Sequence, residues 1–416
     1  MHDSSLITLI IFVISGLVAL NAVSYYSERL MLFPSVIWVL CLGMIYGALN
    51  HFKLLHLPEL YLDPNIILFA LVPVLIFAAT KKMCLHHFRK VLKESSILAT
   101  VGIVISMAGV ALVLYRVFHV PFLESLLLGV IVSATDPIAV SAILHEAKDL
   151  STERKMLIEG ESILNDGFVV AVFATLSVLI FETEEISLTL SGGKLVVNIL
   201  GALALGIVLG RLARFLLRVW KNKAPSLTVN ITLALAFASF LLAETFHFPG
   251  VLAVFAGALA FGYRPDENND KVQAAQEQVW DYLDYIANSI LFFLLGASFF
   301  SQASLEIITI TFVVISVIML FISRFIALGV LRPLLRIDEK KITHQDFWLL
   351  NFSGSRGAIS IALILLLPND FSYKPLFLTM AFVMVIVSLV AYPIFLKKVL
   401  NDQPRVQGIN RGPAHK

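Results

Sequence analysis

Ser133-Ala134-Thr135-Asp136-Pro137-Ile138-Ala139-Val140 lies inside the long apolar run 122–145, where neither a carboxylate nor a proline is at home. Pro137 removes a backbone donor and disfavours helical geometry at Asp136, so a helix over this run is expected to break there. In a bilayer, free carbonyls and N–H groups are tolerated only where they line a cavity or are buried in protein. An aspartate near the middle of a membrane costs ~2.5–3.5 kcal/mol on insertion scales, which makes Asp136 a functional-site candidate by default.

The remainder of the chain places this segment in a membrane. Of 416 residues 58% are hydrophobic and only 14% charged, with a mean hydropathy of +0.88, whereas soluble domains carry about a quarter charged residues. Lys and Arg (31) nearly balance Asp and Glu (29), which excludes the dense basic surface of a nucleic-acid binder. Two cysteines, Cys41 and Cys84, indicate neither a disulfide framework nor a thiolate metal cluster. Hydropathy gives thirteen candidate helices, roughly 5–23, 31–49, 64–80, 95–118, 122–145, 162–181, 194–220, 226–248, 250–263, 282–299, 305–330, 347–368 and 375–400. The first contains no Lys or Arg, the earliest being Arg29, and is expected to be a retained span rather than a signal peptide.

Charge tests that count. With the N-terminus outside, the outward segments hold only Lys53, Arg116, Lys194 and Lys374, while almost all other Lys and Arg fall on inward segments. Short cytoplasmic loops collect basic residues, so the N-terminus is expected outside and the C-terminus in the cytoplasm of a cell (inner) membrane protein. Residues 1–400 then form a single membrane domain, and 401–416 a short basic cytoplasmic tail. Thirteen spans permit two inverted six-helix units around one linker helix, a plan common in secondary transporters, with the fifth and twelfth helices as counterparts. The fold class expected is an all-α polytopic membrane protein with broken, crossing fifth and twelfth helices.

The other polar insertions follow the same logic. The sixth candidate helix opens with Glu159-Gly160-Glu161-Ser162-Ile163-Leu164-Asn165-Asp166-Gly167, where Ser162 and Asp166, and likewise Glu161 and Asn165, share a face at a spacing of four. The twelfth contains Ser353-Gly354-Ser355-Arg356-Gly357-Ala358. Glycines there allow unwinding, and Arg356 must either pair or offset a carbonyl-rich half-helix end. Arg324, on the eleventh, either snorkels or pairs with Glu161. Arg211 is expected to snorkel. His86 and His87 read as a solvated loop, with a pH-sensing pair as the less favoured alternative, and Glu244 and His247 as packing or accessory groups.

Together these segments, with Phe248-Pro249-Gly250-Val251-Leu252-Ala253-Val254 and Ala256-Gly257, resemble the signature motifs of the monovalent cation:proton antiporter-1 family, which includes the NhaP-type sodium/proton antiporters and the eukaryotic sodium/proton exchangers. The resemblance runs in order from the fifth to the twelfth helix. It implies Asp166 as principal carrier of cation and proton, with Asp136, the Thr135 backbone and Ser162 completing the site for the transported metal ion, and Glu161 with Arg324 as a structural ion pair. It also implies a homodimer in membrane lipid, with a mobile core (about 95–181 and 305–400), a dimerisation part (about 5–80 and 226–299) and a linker helix (about 194–220). The expected activity is exchange of Na+, or of Li+ or K+, for H+ by alternating access in pH and salt homeostasis, with no cofactor and no enzymatic reaction. One departure bears on cation choice: where the family often has Phe-Glu-Ala, this chain has Phe77-Ala78-Ala79.

Two other classes fit less well. An intramembrane aspartyl protease would resemble Tyr-Asp and Gly-Leu-Gly-Asp motifs, absent here, and a passive cation channel selects with rings or filter repeats. Asn165 adds a stoichiometric expectation. Related antiporters that move net charge typically carry two aspartates at this dipeptide, whereas Asn165-Asp166 offers one titratable carboxyl, so exchange is expected to be electroneutral and 1:1.

Overall fold

Inside a bilayer a chain satisfies its own backbone by coiling into helices, and this one does so almost throughout. A computed structural model describes residues 34–55, 60, 63–83, 85–136, 140, 143–144, 147, 150–181, 188–220, 225–262, 270–337 and 340–401. The first candidate helix, Pro137 and the tail after Asn401 lie outside these residues. The helices are α1 (Ser35–His51); α2 (Val72–Lys82), preceded by a π turn at Ile66–Leu71; α3 (Leu85–Val117), with a π segment at Leu98–Gly102; α4 (Phe122–Ile131); and α5 (Thr152–Phe181). There follow α6 (Leu188–Val219), α7 (Pro225–Thr245), α8 (Gly250–Phe261), α9 (Asp270–Gln302) and α10 (Ile310–Leu331). After a two-residue-per-strand hairpin, α11 (His344–Phe352), α12 (Ala358–Leu365) and α13 (Lys374–Asn401) complete the chain. Among the described residues seven helices have the length and apolarity of membrane spans, and α1, α4 and α8 are shorter apolar helices.

Several boundaries differ from the hydropathy reading. α3, α5 and α9 begin about ten residues earlier than expected, at Leu85, Thr152 and Asp270. Their extra turns are charged and amphipathic, as in Leu85-His86-His87-Phe88-Arg89-Lys90, so they continue a helix while escaping an apolar window. His86 and His87 are thus on a helix, not in a loop. The run 122–145 is no single helix: α4 stops at Ile131, and Ala134, Thr135 and Asp136 are non-helical. The twelfth span is likewise split, with Gly354–Gly357 non-helical between α11 and α12.

The helices pack in two groups. α9 lies along α1, and α2, α7 and α8 pack beside them, with α6 along α8. The backbones of α1 and α9 touch: a Cβ on Gly43 would stand 2.2 Å from the Phe293 carbonyl oxygen, the small-residue contact expected where lipid provides no hydrophobic drive. In the second group α3 packs on α4, α5 and α10, and α13 packs on α10, α11 and α12. Between the groups lies a cavity of about 290 Å³, room for about ten waters at ~30 Å³ each.

Candidate functional site

The two interrupted segments cross each other and exchange backbone bonds. The Asp136 N–H donates to the Ser355 carbonyl (2.7 Å), and the Ser355 hydroxyl donates back to the Asp136 carbonyl (2.6 Å). Ser360 Oγ donates to the Ile131 carbonyl at 2.8 Å. Each thus satisfies groups that the break in the other would have orphaned.

Opposite charges meet the exposed half-helix ends. Arg356 Nη1 donates to the Ser133 carbonyl (2.9 Å) and the Ala134 carbonyl (3.1 Å), just beyond the C-terminus of α4. Its own N–H donates to Ser388 Oγ on α13. Of the two roles open to Arg356 in the sequence, the structure places it on the carbonyl-rich end. Arg324 forms a fork on Glu161, Nη1 to Oε1 at 2.7 Å and Nη2 to Oε2 at 2.9 Å, and Nη2 also donates to the Leu350 carbonyl near the C-terminus of α11. Arg324 is 6% exposed and Glu161 1%, so the arginine is buried in the bundle instead of snorkelling.

Two glycines make room for these groups. A Cβ on Gly354 would lie 2.5 Å from Arg324 Nε, and one on Gly357 2.5 Å from Asp136 Oδ2. The Gly-Ser-Arg-Gly sequence between α11 and α12 is therefore a cradle for one cation and one carboxylate as well as a helix break.

Asp136 and Asp166 line the cavity together with Thr135, Gly357 and Ala358. Ser162 does not line the cavity; its hydroxyl meets Thr135 Oγ1 at 3.2 Å. Asn165 Nδ2 donates to Thr135 Oγ1 (2.9 Å) and to the Ser133 carbonyl (3.3 Å), so the amide that cannot titrate ties α5 to the interrupted segment after α4. The opposite wall is Val72, Leu75, Ile76 and Ala79, one face of α2. Ala78 is buried and turned off that face.

Four polar cavity residues were not singled out from the sequence: Glu159, Lys82, Asp284 and Asn288. Glu159 lies seven residues before Asp166 on α5, two turns along the same face and roughly 10 Å nearer the start of that helix; that spacing was a usable signal. Lys82 at the end of α2 bonds Asp284 (3.1 Å) and Asp281 (3.2 Å) on α9, and Asn288 Nδ2 donates to Asp284. No local pattern announces these. Away from the site, Glu244 Oε1 accepts the Gly250 N–H at the start of α8, a capping role, and His87 Nδ1 lies 3.0 Å from Glu153.

Comparison with known proteins gives a consistent picture. A family model described as sodium/hydrogen exchanger, transmembrane, matches residues 9–402. The Na(+)/H(+) antiporter NhaH of Halobacillus aidingensis is 28% identical over 406 residues, covering 92% of this chain and 95% of that protein. Sodium/hydrogen exchanger 8 of Arabidopsis thaliana is 30% identical over 390 residues, 88% of this chain and 50% of its own length. The fold matches that of the sodium proton antiporter MjNhaP1 from Methanocaldococcus jannaschii at a TM-score of 0.74 and 18% identity, over 95% of this chain and all of the other.

Proposed function

The chain belongs to the sodium/hydrogen exchanger transmembrane family, and on that premise we propose that it exchanges a monovalent cation, Na+ in the first place, for H+ at the crossing of α4 and the α11–α12 segment. It is a polytopic membrane antiporter and not an enzyme. The observation that carries the assignment of the site is that Asp136 and Asp166 line one cavity, between two packed groups of helices, where two broken segments cross.

Competition supplies the mechanism. A carboxylate partly withdrawn from water and facing another carboxylate is unfavourable without compensation, so Asp166 holds either a proton or a cation. Carboxylate, hydroxyl and carbonyl oxygens suit a hard cation, and Asp166, Asp136 and Thr135 offer all three kinds, with Ser162 and Asn165 fixing the Thr135 hydroxyl. Because both cargoes need the same carboxylate, one leaves before the other loads. Alternating access follows if the group containing α3–α5 and α10–α13 moves against the group containing α1, α2 and α7–α9, with α6 as linker. The packing supports that division, and with it the core and dimerisation parts of a homodimer. The N-terminus lies outside, the C-terminus in the cytoplasm of a cell membrane, and the exchange serves pH and salt homeostasis.

Charge bookkeeping at the crossing supports 1:1 exchange. Where the two broken segments meet, Asp136, Glu161 and Asp166 stand against Arg324 and Arg356, all buried. Glu159, also buried and bordering the cavity two turns along α5, lies outside that cluster and takes no part in the swap, so one negative charge remains there for one proton or one monovalent cation to neutralise. A cycle that swaps them moves no net charge, although an uncompensated charge would feel ~2.3 kcal/mol per 100 mV.

The test is a panel of Na+, Li+, K+ and Ca2+ in proteoliposomes, reading cation-driven proton release. Asp166→Asn and Asp136→Asn are each expected to abolish release while the protein elutes and melts as a folded species. Near-normal exchange by Asp166→Asn overturns the site. For stoichiometry, the equilibrium cation gradient at fixed pH difference is expected to be independent of a clamped membrane potential. A gradient that follows voltage means a second proton is carried, Asp136 being the first suspect, and a cation gradient that collapses without proton counterflow means a channel.

A further inference from the structure

A second, larger cavity of about 1180 Å³, above the ~300–1,000 Å³ of ordinary small-ligand pockets, is not accounted for by ion exchange. It opens between the start of α3, the end of α2, α8 and the C-terminal half of α6. Its charged lining is one-sided. Lys81, Lys82, Arg89, Arg211, Arg214 and Arg218 face it against a single carboxylate, Glu277. Lys82 is engaged by Asp281 and Asp284, and Arg214 Nη2 holds the Gly262 carbonyl at the end of α8. Even discounting Lys82 and setting Glu277 against another cation, the wall stays strongly positive.

The arrangement along α6 gives the occupant its shape. Leu203, Ile207, Arg211, Arg214 and Arg218 recur at spacings of four, four, three and four, so they form one stripe of the helix. The stripe is apolar for its first two members and basic for its last three. Across the cavity, α3 repeats the mixture with Leu85, Arg89 and Leu92. Ile207, Leu85 and Leu92 remain 37%, 38% and 42% exposed. A small hydrophilic anion would satisfy the arginines and leave those apolar surfaces uncovered; a neutral hydrocarbon would do the reverse. On the same helix Val208, Leu212 and Phe215 are exposed apolar side chains, the surface a helix turns toward lipid.

We propose that this cavity binds one anionic phospholipid of the cytoplasmic leaflet, its headgroup among Arg211, Arg218 and Arg89 and its acyl chains along Leu203, Ile207 and Leu92. The proposal rests on the membrane orientation given above, which puts these arginines at the cytoplasmic face. It gives the exposed Arg211, on the stripe shared with Arg214 and Arg218, an anionic partner. Because α2 and α8 belong to one packed group and α3 to the other, a bound lipid would bridge them.

The experiment measures binding and needs no transport. The full chain, purified in neutral detergent, is mixed with phosphatidylglycerol, phosphatidylcholine or inorganic phosphate, and bound species are read by native mass spectrometry. Phosphatidylglycerol is expected to be retained in preference to phosphatidylcholine and not to be displaced by phosphate. At ~1 kcal/mol for each basic residue near an anionic lipid surface, Arg211→Gln with Arg218→Gln weakens retention about thirty-fold. Ile207→Trp, which fills the apolar end and leaves every charge in place, also reduces it. Equal retention of both lipids overturns the charge recognition, and displacement by phosphate makes the ligand a free anion. Unchanged binding by both variants puts the lipid elsewhere. The lipid and phosphate competitions on the parent protein decide the matter even if a variant fails to fold.

Discussion

Two arginine–carboxylate forks in this molecule have nearly the same geometry and different surroundings. Arg324 meets Glu161 at 2.7 and 2.9 Å in the interior, with side-chain exposures of 8% and 1%. Arg154, in the first turn of α5, meets Asp346 at 2.6 and 3.4 Å at the edge of the bundle, and its side chain is 29% exposed. Similar bonds therefore carry different weights. At the edge water reaches Arg154, and Asp346, only 6% exposed, keeps its Thr343 partners if the arginine is lost, whereas in the interior removal of one leaves the other charged and unsolvated. The interior fork also anchors a crossing that has no regular backbone ladder of its own.

The largest effect is expected from breaking the interior fork. Arg324→Ala strands Glu161 and frees the Leu350 carbonyl, and is expected to lower stability by ~3–5 kcal/mol. A detergent melting curve indistinguishable from the parent's would show that the fork contributes nothing. Exchanging the two residues, Arg324→Glu with Glu161→Arg, should recover part of the loss.

A subtler perturbation keeps every charge and moves one of them. Gly357→Ala introduces a methyl group 2.5 Å from Asp136 Oδ2, a clash that costs ~1–3 kcal/mol if the backbone holds. Because the displaced group faces the cavity, the apparent KM for the cation should rise more than stability falls. An unchanged KM would mean that Asp136 is not a cation ligand.

The smallest effect belongs to the edge. Asp346 is also the N-cap partner of α11, accepting from the Thr343 N–H and hydroxyl while its own N–H donates to Thr343 Oγ1. Asp346→Ala is expected to cost ~1–2 kcal/mol, as lost caps do. Burial alone would push this carboxyl up, but the bonds from Arg154 and Thr343 outweigh it and hold the carboxyl below its usual range. A carboxyl depressed in the folded state stabilises above the unfolded value, about 3.9, and loses that stabilisation as pH falls through the folded one. The gap in melting temperature between parent and Asp346→Ala should therefore hold constant at neutral pH and close only below about pH 4. A gap that closes between pH 7 and pH 5 would point to another titrating group.

How far these regions could be read in advance depends on how local their signals are. Asp136-Pro137 and Gly354-Ser355-Arg356-Gly357 announce broken helices within a few residues, because proline and glycine act on their own backbone. The charged openings of α3, α5 and α9 were missed for a related reason: a hydropathy window measures affinity for lipid, and these turns are helical in water. Ser162 illustrates another limit. Its spacing from Asp166 put the two on one face, yet packing turned the serine hydroxyl onto Thr135 and left Asp136 and Asp166 to the cavity.

By itself the sequence determined that the chain is a polytopic membrane protein, where the apolar parts of its helices run and where two of them break, and which carboxylates and arginines lie where lipid should be. Those properties follow from transfer energies and backbone sterics, which act residue by residue. Only the tertiary structure decided which break meets which. Ser355 bonds Asp136 across 219 residues of chain, Arg356 rests on the Ser133 carbonyl rather than on a carboxylate, and Lys82, Asp284 and Asn288 border the same cavity from α2 and α9. Such contacts depend on how whole helices pack, and no short-range preference encodes a partner two hundred residues away.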